Sequence, residues 1–266
     1  MQYCDLTFPT PEENLACDEA LLDWAEEQAM GAPASRRREL TGSPESQNYD
    51  LAGETPALPG ILRLWEPTRY FVVLGYANRL ATEVNAAFCR QNTIPILRRC
   101  SGGGTVLQGP GILNYTLVLP ADAGALQNVT AANRFIMEQH RRTLSSLLGA
   151  TVEIRGHTDL TIGGLKFSGN AQRRRKYCLL FHGSFLLHFD FDLMEKVLPL
   201  PSSEPDYRLG RPHHEFLMNL KIHRDLLKRA LTQTWAAMTP LRQIPYDRID
   251  SLVGTTYARD EWNTKF

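Results

Sequence analysis

Leu97-Arg98-Arg99-Cys100-Ser101-Gly102-Gly103-Gly104-Thr105-Val106 joins two fixed cations to a stretch of backbone almost bare of side chains. The apolar Ile94-Pro95-Ile96-Leu97 ahead of it reads as a short buried strand, and Thr105-Val106-Leu107 resumes strand character beyond it. The glycines are therefore expected to bend the chain from one strand into the next. Three consecutive glycines cost backbone entropy and add no packing, so a chain that keeps them needs positive φ or a ligand close to the main chain. Exposed N–H groups beside two guanidinium groups make a cradle for phosphate or carboxylate. A glycine hairpin with surface arginines fits the same residues equally well.

Downstream, Asp159-Leu160-Thr161-Ile162-Gly163-Gly164-Leu165-Lys166-Phe167-Ser168-Gly169-Asn170-Ala171-Gln172 reads as a hairpin, with Gly163-Gly164 as the tight turn between two short strand pieces. Lys166 emerges just past that turn. A lysine followed by Ser168 and Gly169 offers a point charge next to exposed main chain, which suits phosphate or a developing oxyanion. A solvated surface lysine is the plainer reading of this residue alone. Arg173-Arg174-Arg175-Lys176 then reads as a solvated basic face.

Around these two runs the chain alternates helices and strands. Pro11 to Met30 reads as a helix opened by proline and glutamates, with Leu15, Leu22 and Ala25 on one face and Gly31 as its stop. Residues 31–57 carry Pro, Gly, Ser, Arg and Glu with few apolar anchors and read as a long polar loop. Ile61–Trp65, Phe71–Gly75, Tyr115–Leu119 and Phe185–Phe189 have strand character, with Glu66-Pro67-Thr68 bending between the first two. Asn133–Leu148 carries a helical stripe of Ile136, His140, Leu144 and Leu148, and Asp192 is placed to cap a short helix through Val197. Grouped strands with helices between them argue for an α/β or α+β fold of mixed sheets packed by helices.

Composition narrows the function classes. Lys+Arg and Asp+Glu both number 29 in 266 residues, so the charge balance implies no nucleic-acid partner. No stretch approaches the ~18 apolar residues of a membrane span, and Met1-Gln2-Tyr3-Cys4-Asp5 has no signal-peptide character; a cytoplasmic protein without a membrane partner is expected. Cys4, Cys17, Cys89, Cys100 and Cys178 form no Cys-x-x-Cys pair, which points to neither a zinc site nor a disulfide framework.

The order of four motifs makes the chain specific. Asn14-Leu15-Ala16-Cys17-Asp18-Glu19-Ala20-Leu21-Leu22, the Arg-Arg-x-Ser-Gly-Gly-Gly run, Lys-x-Ser-Gly-Asn-Ala-Gln, and Phe181-His182-Gly183-Ser184-Phe185-Leu186-Leu187 together resemble the lipoate-protein ligase A family over roughly residues 10 to 220. That family belongs to the biotin/lipoate protein ligase catalytic-domain superfamily, which also holds octanoyltransferases. The resemblance implies one catalytic domain over residues 1–266 and no C-terminal accessory domain. It also implies two half-reactions: lipoate or octanoate attacks the α-phosphorus of ATP, with Mg2+, to give an acyl-adenylate, and a lysine of a lipoyl carrier domain then takes the acyl group. The carrier would be a 2-oxoacid dehydrogenase E2 or a glycine-cleavage H-like protein. Both steps gather negative charge on oxygen, so preorganised cations and N–H groups are the main requirement.

By matching motif positions, the resemblance makes Lys166 the catalytic cation on the acyl carbonyl and α-phosphate. Arg99 and Ser101 would hold the carboxylate or phosphate end, and Gly102, Gly103 and Gly104 would lie against the acyl chain or adenylate. Ser168, Gly169 and Asn170 would complete the binding run, Asp159 would receive the adenylate or its magnesium, and His182 would line the acyl tunnel. A core histidine bonded to a backbone carbonyl fits His182, taken alone, equally well. The chain departs from the family at Gln108-Gly109 and Gly111-Ile112, where many members carry His-Asp and Gly-Asn. Its length is also short of ligases with a closing domain, so a separate accessory lid protein is a further expected partner. The rival reading is acyl transfer from an acyl-carrier donor without ATP. Its usual cysteine is missing from residues 149–165 and 183–266, and Cys100 and Cys178 stand elsewhere.

Overall fold

Thr10-Pro11-Glu12-Glu13 starts the first helix in the computed structural model, which describes residues 1–31, 60–121 and 124–266. The Thr10 hydroxyl accepts from the Glu13 N–H at 3.2 Å, and the Glu13 carboxylate accepts from the Thr10 N–H at 3.0 Å. This reciprocal capping box, with proline at the first helical position, satisfies two backbone donors that the helix cannot. The helix, α1, runs Pro11–Gly31. The expected polar loop at 31–57 lies, apart from Gly31, outside the described residues.

The strands are β1 (Gln2–Asp5), β2 (Ile61–Trp65), β3 (Phe71–Leu74), β4 (Ile96–Arg98), β5 (Val106–Gln108), β6 (Ile112–Pro120), β7 (Glu153–Arg155), β8 (Asp159–Ile162), β9 (Leu165–Arg174), β10 (Cys178–Leu186) and β11 (Thr239–Pro240). Eight of them form one sheet in the order β11-β1-β2-β6-β10-β9-β8-β7, and β4-β3-β5 form a second. Parallel pairs (β1 with β11 and β2, β3 with β4) sit beside antiparallel ones, so the fold is the expected mixed α/β class. The glycine run does not close a hairpin: β3 lies between β4 and β5, and Gly102–Gly104 cross over its end.

β6 is buried along almost its whole length, because helices cover both faces of the sheet, and it reads as a near-continuous apolar run for that reason. On one face Ile61, Val118 and Leu180 pack against Leu15, Ala16 and Leu21 of α1. On the other, Leu62, Leu117 and Phe181 pack against Ile136, Met137 and Leu144 of the helix Val129–Leu148, and against Leu227 and Leu231 of the helix Arg224–Thr234. Each fully buried leucine of this kind contributes about 1.5–3 kcal/mol of transfer free energy. The helix Val129–Leu148 starts four residues before its expected Asn133, because the Asn128 side chain caps it by accepting from Ala131 N–H at 2.8 Å.

Three further expectations are corrected. Asp190, not Asp192, caps the helix Phe191–Val197, accepting from Leu193 N–H. The strand expected at Phe185–Phe189 ends at Leu186 as the tail of β10. The basic run is no solvated face: Arg173 donates to the Cys100 carbonyl at 2.7 Å, Arg174 to those of Ala121 and Leu126, and Arg175 to Asp23. β9 continues to Arg174, and its last two arginines donate to main-chain carbonyls of neighbouring segments. Among the described residues, no helix is long and apolar enough to cross a membrane.

Candidate active site

Cross-strand register assembles the site. Arg63 of β2 pairs with Thr116 of β6, and Thr116 pairs with His182 of β10. Three neighbouring strands thus present these residues in one row, and side chains paired across a sheet share a face. Helix α1 lies on that face and lowers Asp18 onto the row. One Asp18 oxygen accepts from Arg63 at 2.7 Å and from the Thr116 hydroxyl at 2.8 Å, and the other lies 3.0 Å from His182 Nδ1. His182 Nε2 in turn stands 2.6 Å from the Ser101 hydroxyl.

Burial by itself pushes the Asp18 carboxyl up; the Arg63 guanidinium, the His182 ring and the Thr116 hydroxyl outweigh it and hold the group below the usual carboxylate range. Asp18 is therefore ionised at neutral pH and accepts from Nδ1–H. In the neutral ring this arrangement puts the hydrogen on Nδ1 and leaves Nε2 to accept from Ser101. Arg63 is fully buried, and its remaining donors bond to Asn14 and the Leu6 carbonyl, so the buried ion pair has the extra hydrogen bonds it needs to offset desolvation.

The glycine run is held from inside. Arg98 donates to the carbonyls of Gly75, Tyr76 and Asn78, and Arg99 donates to those of Gly102 and Gly104. The two arginines thus shape the loop rather than stand free for an anion. Burial lowers the Arg99 guanidinium to about 10, still cationic at neutral pH. Gly103 takes φ +86°, and a Cβ there would meet the Arg99 guanidinium, so neither the backbone nor the space admits a side chain. The N–H groups of Gly102, Gly103 and Gly104 meet no protein acceptor among the described residues, which leaves donors beside a cation for an oxyanion.

Arg99, Gly102, Gly103, Gly104, Asp159, Lys166, Gly169, Asn170 and His182 all line one cleft of about 1160 Å3, together with Asp18, Gln108 and Asn114. Ser101 and Ser168 are buried, each 1% exposed; Ser168 borders a smaller cavity of about 110 Å3 next to the cleft. Lys166 pairs with Asp159 at 2.9 Å, and the other Asp159 oxygen accepts from the Tyr207 hydroxyl at 2.8 Å. Asn170 accepts from Tyr115 and donates to the Thr158 carbonyl. Gln108, a departure from the family pattern, exchanges hydrogen bonds with Asn114. The expected histidine–carbonyl contact is absent, and His182 is bonded to a carboxylate and a hydroxyl instead.

The expectation of magnesium at Asp159 fits poorly. Both its oxygens are already engaged, and among the described residues no cluster of three or more His, Cys, Asp or Glu side chains is placed to hold a metal ion. None of the cleft-lining residues is a cysteine. Burial first, and Glu19 next, push the Cys100 thiol far above the ordinary range, so it makes no thiolate nucleophile. Asp18, Arg63, Thr116 and Tyr207 were not singled out by sequence spacing. Asp18 lies inside the quoted Asn14–Leu22 motif, but its partners are far away in sequence and only strand register reveals them.

The fold matches a crystal structure of lipoate-protein ligase A bound with ATP at TM-score 0.73 and 23% identity, covering 99% of this chain and 98% of that one. Residues 43–234 match the lipoyl protein ligase A/B catalytic domain, and the chain belongs to that family. Lipoate–protein ligase 1 of Staphylococcus aureus is 27% identical over 203 residues, 72% of this chain, and the chain spans about 60% of that relative's length. Octanoyltransferase LipM of Bacillus subtilis is 23% identical over 301 aligned positions, covering 99% of this chain and 98% of that protein.

Proposed function

We propose that the chain moves a lipoyl or octanoyl group onto a lysine of a lipoyl carrier domain, after activating the free acid with ATP as an acyl-adenylate. The observation that carries this reading is the cleft itself. It places Lys166, Asn170 and the N–H groups of Gly102–Gly104, which meet no acceptor among the described residues, around one space. Such groups stabilise the negative charge that develops on oxygen when a carboxylate attacks phosphorus and when an amine attacks an acyl carbon. In this reading Lys166 moves from Asp159 to the acyl carbonyl and α-phosphate, and Arg99 keeps the glycine cradle in shape. Gly169 lets the substrate lie against main chain, and Ser168 braces the strand behind it. Asp159 and Tyr207 hold Lys166 in place before substrate arrives. The lipoyl domain of an E2 or H-like protein is the acceptor.

Release of pyrophosphate from ATP, measured with and without lipoate, tests this reading. Lipoate-dependent release is expected. A second reading, transfer from an acyl-carrier donor without ATP, is favoured by the match to LipM over nearly the full length of both chains. No lipoate-dependent release, with acyl transfer from an octanoyl thioester, would establish that second reading in its place.

A further inference from the structure

Arg98 ends β4, an edge strand of the second sheet, where main-chain groups are left without a ladder partner. Two side chains from far along the chain take them instead. The Arg98 N–H donates to Asn263 Oδ1 at 2.9 Å, and Trp262 Nε1 donates to the Arg98 carbonyl at 2.8 Å. The fully buried Arg98 guanidinium donates in turn to the main-chain carbonyls of Trp262 and Asn263, each at 3.1 Å. Asn263 is itself buried, and its amide donates to the Tyr257 carbonyl at 3.0 Å. Two short helical segments, Val253–Tyr257 and Asp260–Asn263, therefore grip the residue from which the glycine run departs. Both lie outside residues 43–234, which match the family's catalytic domain.

Arg98 acts on the cleft by two routes. Along the chain it is followed by Arg99, which donates to the carbonyls of Gly102 and Gly104. Across the sheet it donates to the carbonyls of Gly75, Tyr76 and Asn78. The Tyr76 N–H donates to the Ser101 carbonyl at 2.8 Å, and Gly75 packs so closely on Gly103 that a Cβ on it would collide with the Gly103 carbonyl oxygen. A shift of Arg98 would therefore tilt the N–H groups of Gly102–Gly104, and a misplacement of about 1 Å costs about 10²-fold in rate. The geometry points to Trp262 and Asn263 as positioning residues for acyl transfer, acting through Arg98 on the glycine cradle. This rests on the acyl-transfer reading above and holds for either donor, acyl thioester or acyl-adenylate. Neither side chain lines the cleft, so neither is assigned a contact with substrate.

The test pairs two variants of the full chain. Asn263→Ala removes both hydrogen bonds of the amide, whereas Trp262→Phe keeps a ring against Tyr76 and Tyr257 and removes only the indole donor. Octanoyl transfer to an apo lipoyl domain is measured with the donor the parent uses, and the glycine amides are followed by NMR of chain labelled at glycine nitrogen. In Asn263→Ala kcat should fall by about 10- to 100-fold, with a smaller fall in Trp262→Phe and little change in KM for the lipoyl domain. The Gly102–Gly104 amide resonances should shift in both variants while that of Gly149 stays in place. Asn263→Asp, which keeps an acceptor for the Arg98 N–H, should recover most of the lost kcat. Ile249→Val trims a buried side chain of the helix Tyr246–Leu252 and should leave kcat at the parent value. Parent-like kcat with unmoved glycine resonances in both variants overturns the inference, and so does an equal loss of kcat in Ile249→Val. Should Asn263→Ala fail to fold, Trp262→Phe decides alone. If the parent transfers no acyl group from either donor, the acyl-transfer reading falls, and the glycine resonances by themselves decide whether Trp262 and Asn263 set the cradle.

Discussion

Asp18 Oδ2 lies 3.0 Å from His182 Nδ1 although 164 positions separate them in sequence, and the same carboxylate accepts from the fully buried Arg63 at 2.7 Å. One side chain of the first helix therefore neutralises a core cation and engages Nδ1 of a residue on the cleft wall. Stability and site chemistry are coupled at this point.

Replacing Asp18 with Asn should consequently destabilise the fold as well as the site. Arg63 would be left charged and unpaired in the core, a change that costs about 3–5 kcal/mol. Because the Asp18 carboxyl is held below the usual range in the folded state, its contribution is fully present above the unfolded pKa and is lost as pH falls through the folded one. Urea unfolding of the parent and of Asp18→Asn at neutral and acidic pH checks both points. Equal midpoints at neutral pH would contradict the pairing.

His140 gives a second pH signature. It is fully buried, and burial lowers it from 6.5 to about 3. The unfolded chain gains a proton there below 6.5 that the folded chain refuses, so stability should fall as pH drops from 6.5 toward 3. The slope from this group approaches about 1.4 kcal/mol per pH unit. His140→Gln keeps an acceptor for the Trp235 indole N–H, which bonds to His140 Nε2 at 2.9 Å, and should flatten the profile in that window. An unchanged slope would show that His140 does not set it.

Gly103→Ala should test the glycine run. At φ +86° an alanine is strained, and its methyl would press on the Arg99 guanidinium that holds Gly102 and Gly104. A loss of about 1–2 kcal/mol in stability is expected, with a larger loss of acyl transfer because the N–H groups lose their alignment. Parent-like transfer rates in this variant would argue against the cradle.

The motifs were legible in the sequence because each needs residue types that leave a local mark: the glycine triplet, the Gly163-Gly164 turn and the proline-opened helix. Both helix stripes and most strands followed from periodicity. What the sequence could not supply was distance across strands. The row of Arg63, Thr116 and His182 exists only through pairing in register, and the choice of Asp190 over Asp192 as a cap depends on backbone geometry. The two arginines looked like anion ligands because composition cannot tell whether a guanidinium faces a ligand or its own loop's carbonyls.

Lys166→Ala separates chemistry from folding. The lysine is partly exposed and paired with Asp159 at 2.9 Å, and such a pair contributes about 1 kcal/mol or less. Thermal unfolding should therefore stay close to the parent, while acyl transfer falls by about 10²-fold or more through loss of charge stabilisation. Retained activity would remove Lys166 from the mechanism.

The most direct measurement of the central claim is the intact mass of an apo lipoyl domain after incubation with the chain, lipoate, ATP and magnesium. A parallel sample receives an octanoyl thioester alone. A mass gain on the carrier lysine that requires ATP is the predicted result. No mass gain from either donor would contradict acyl transfer by this cleft.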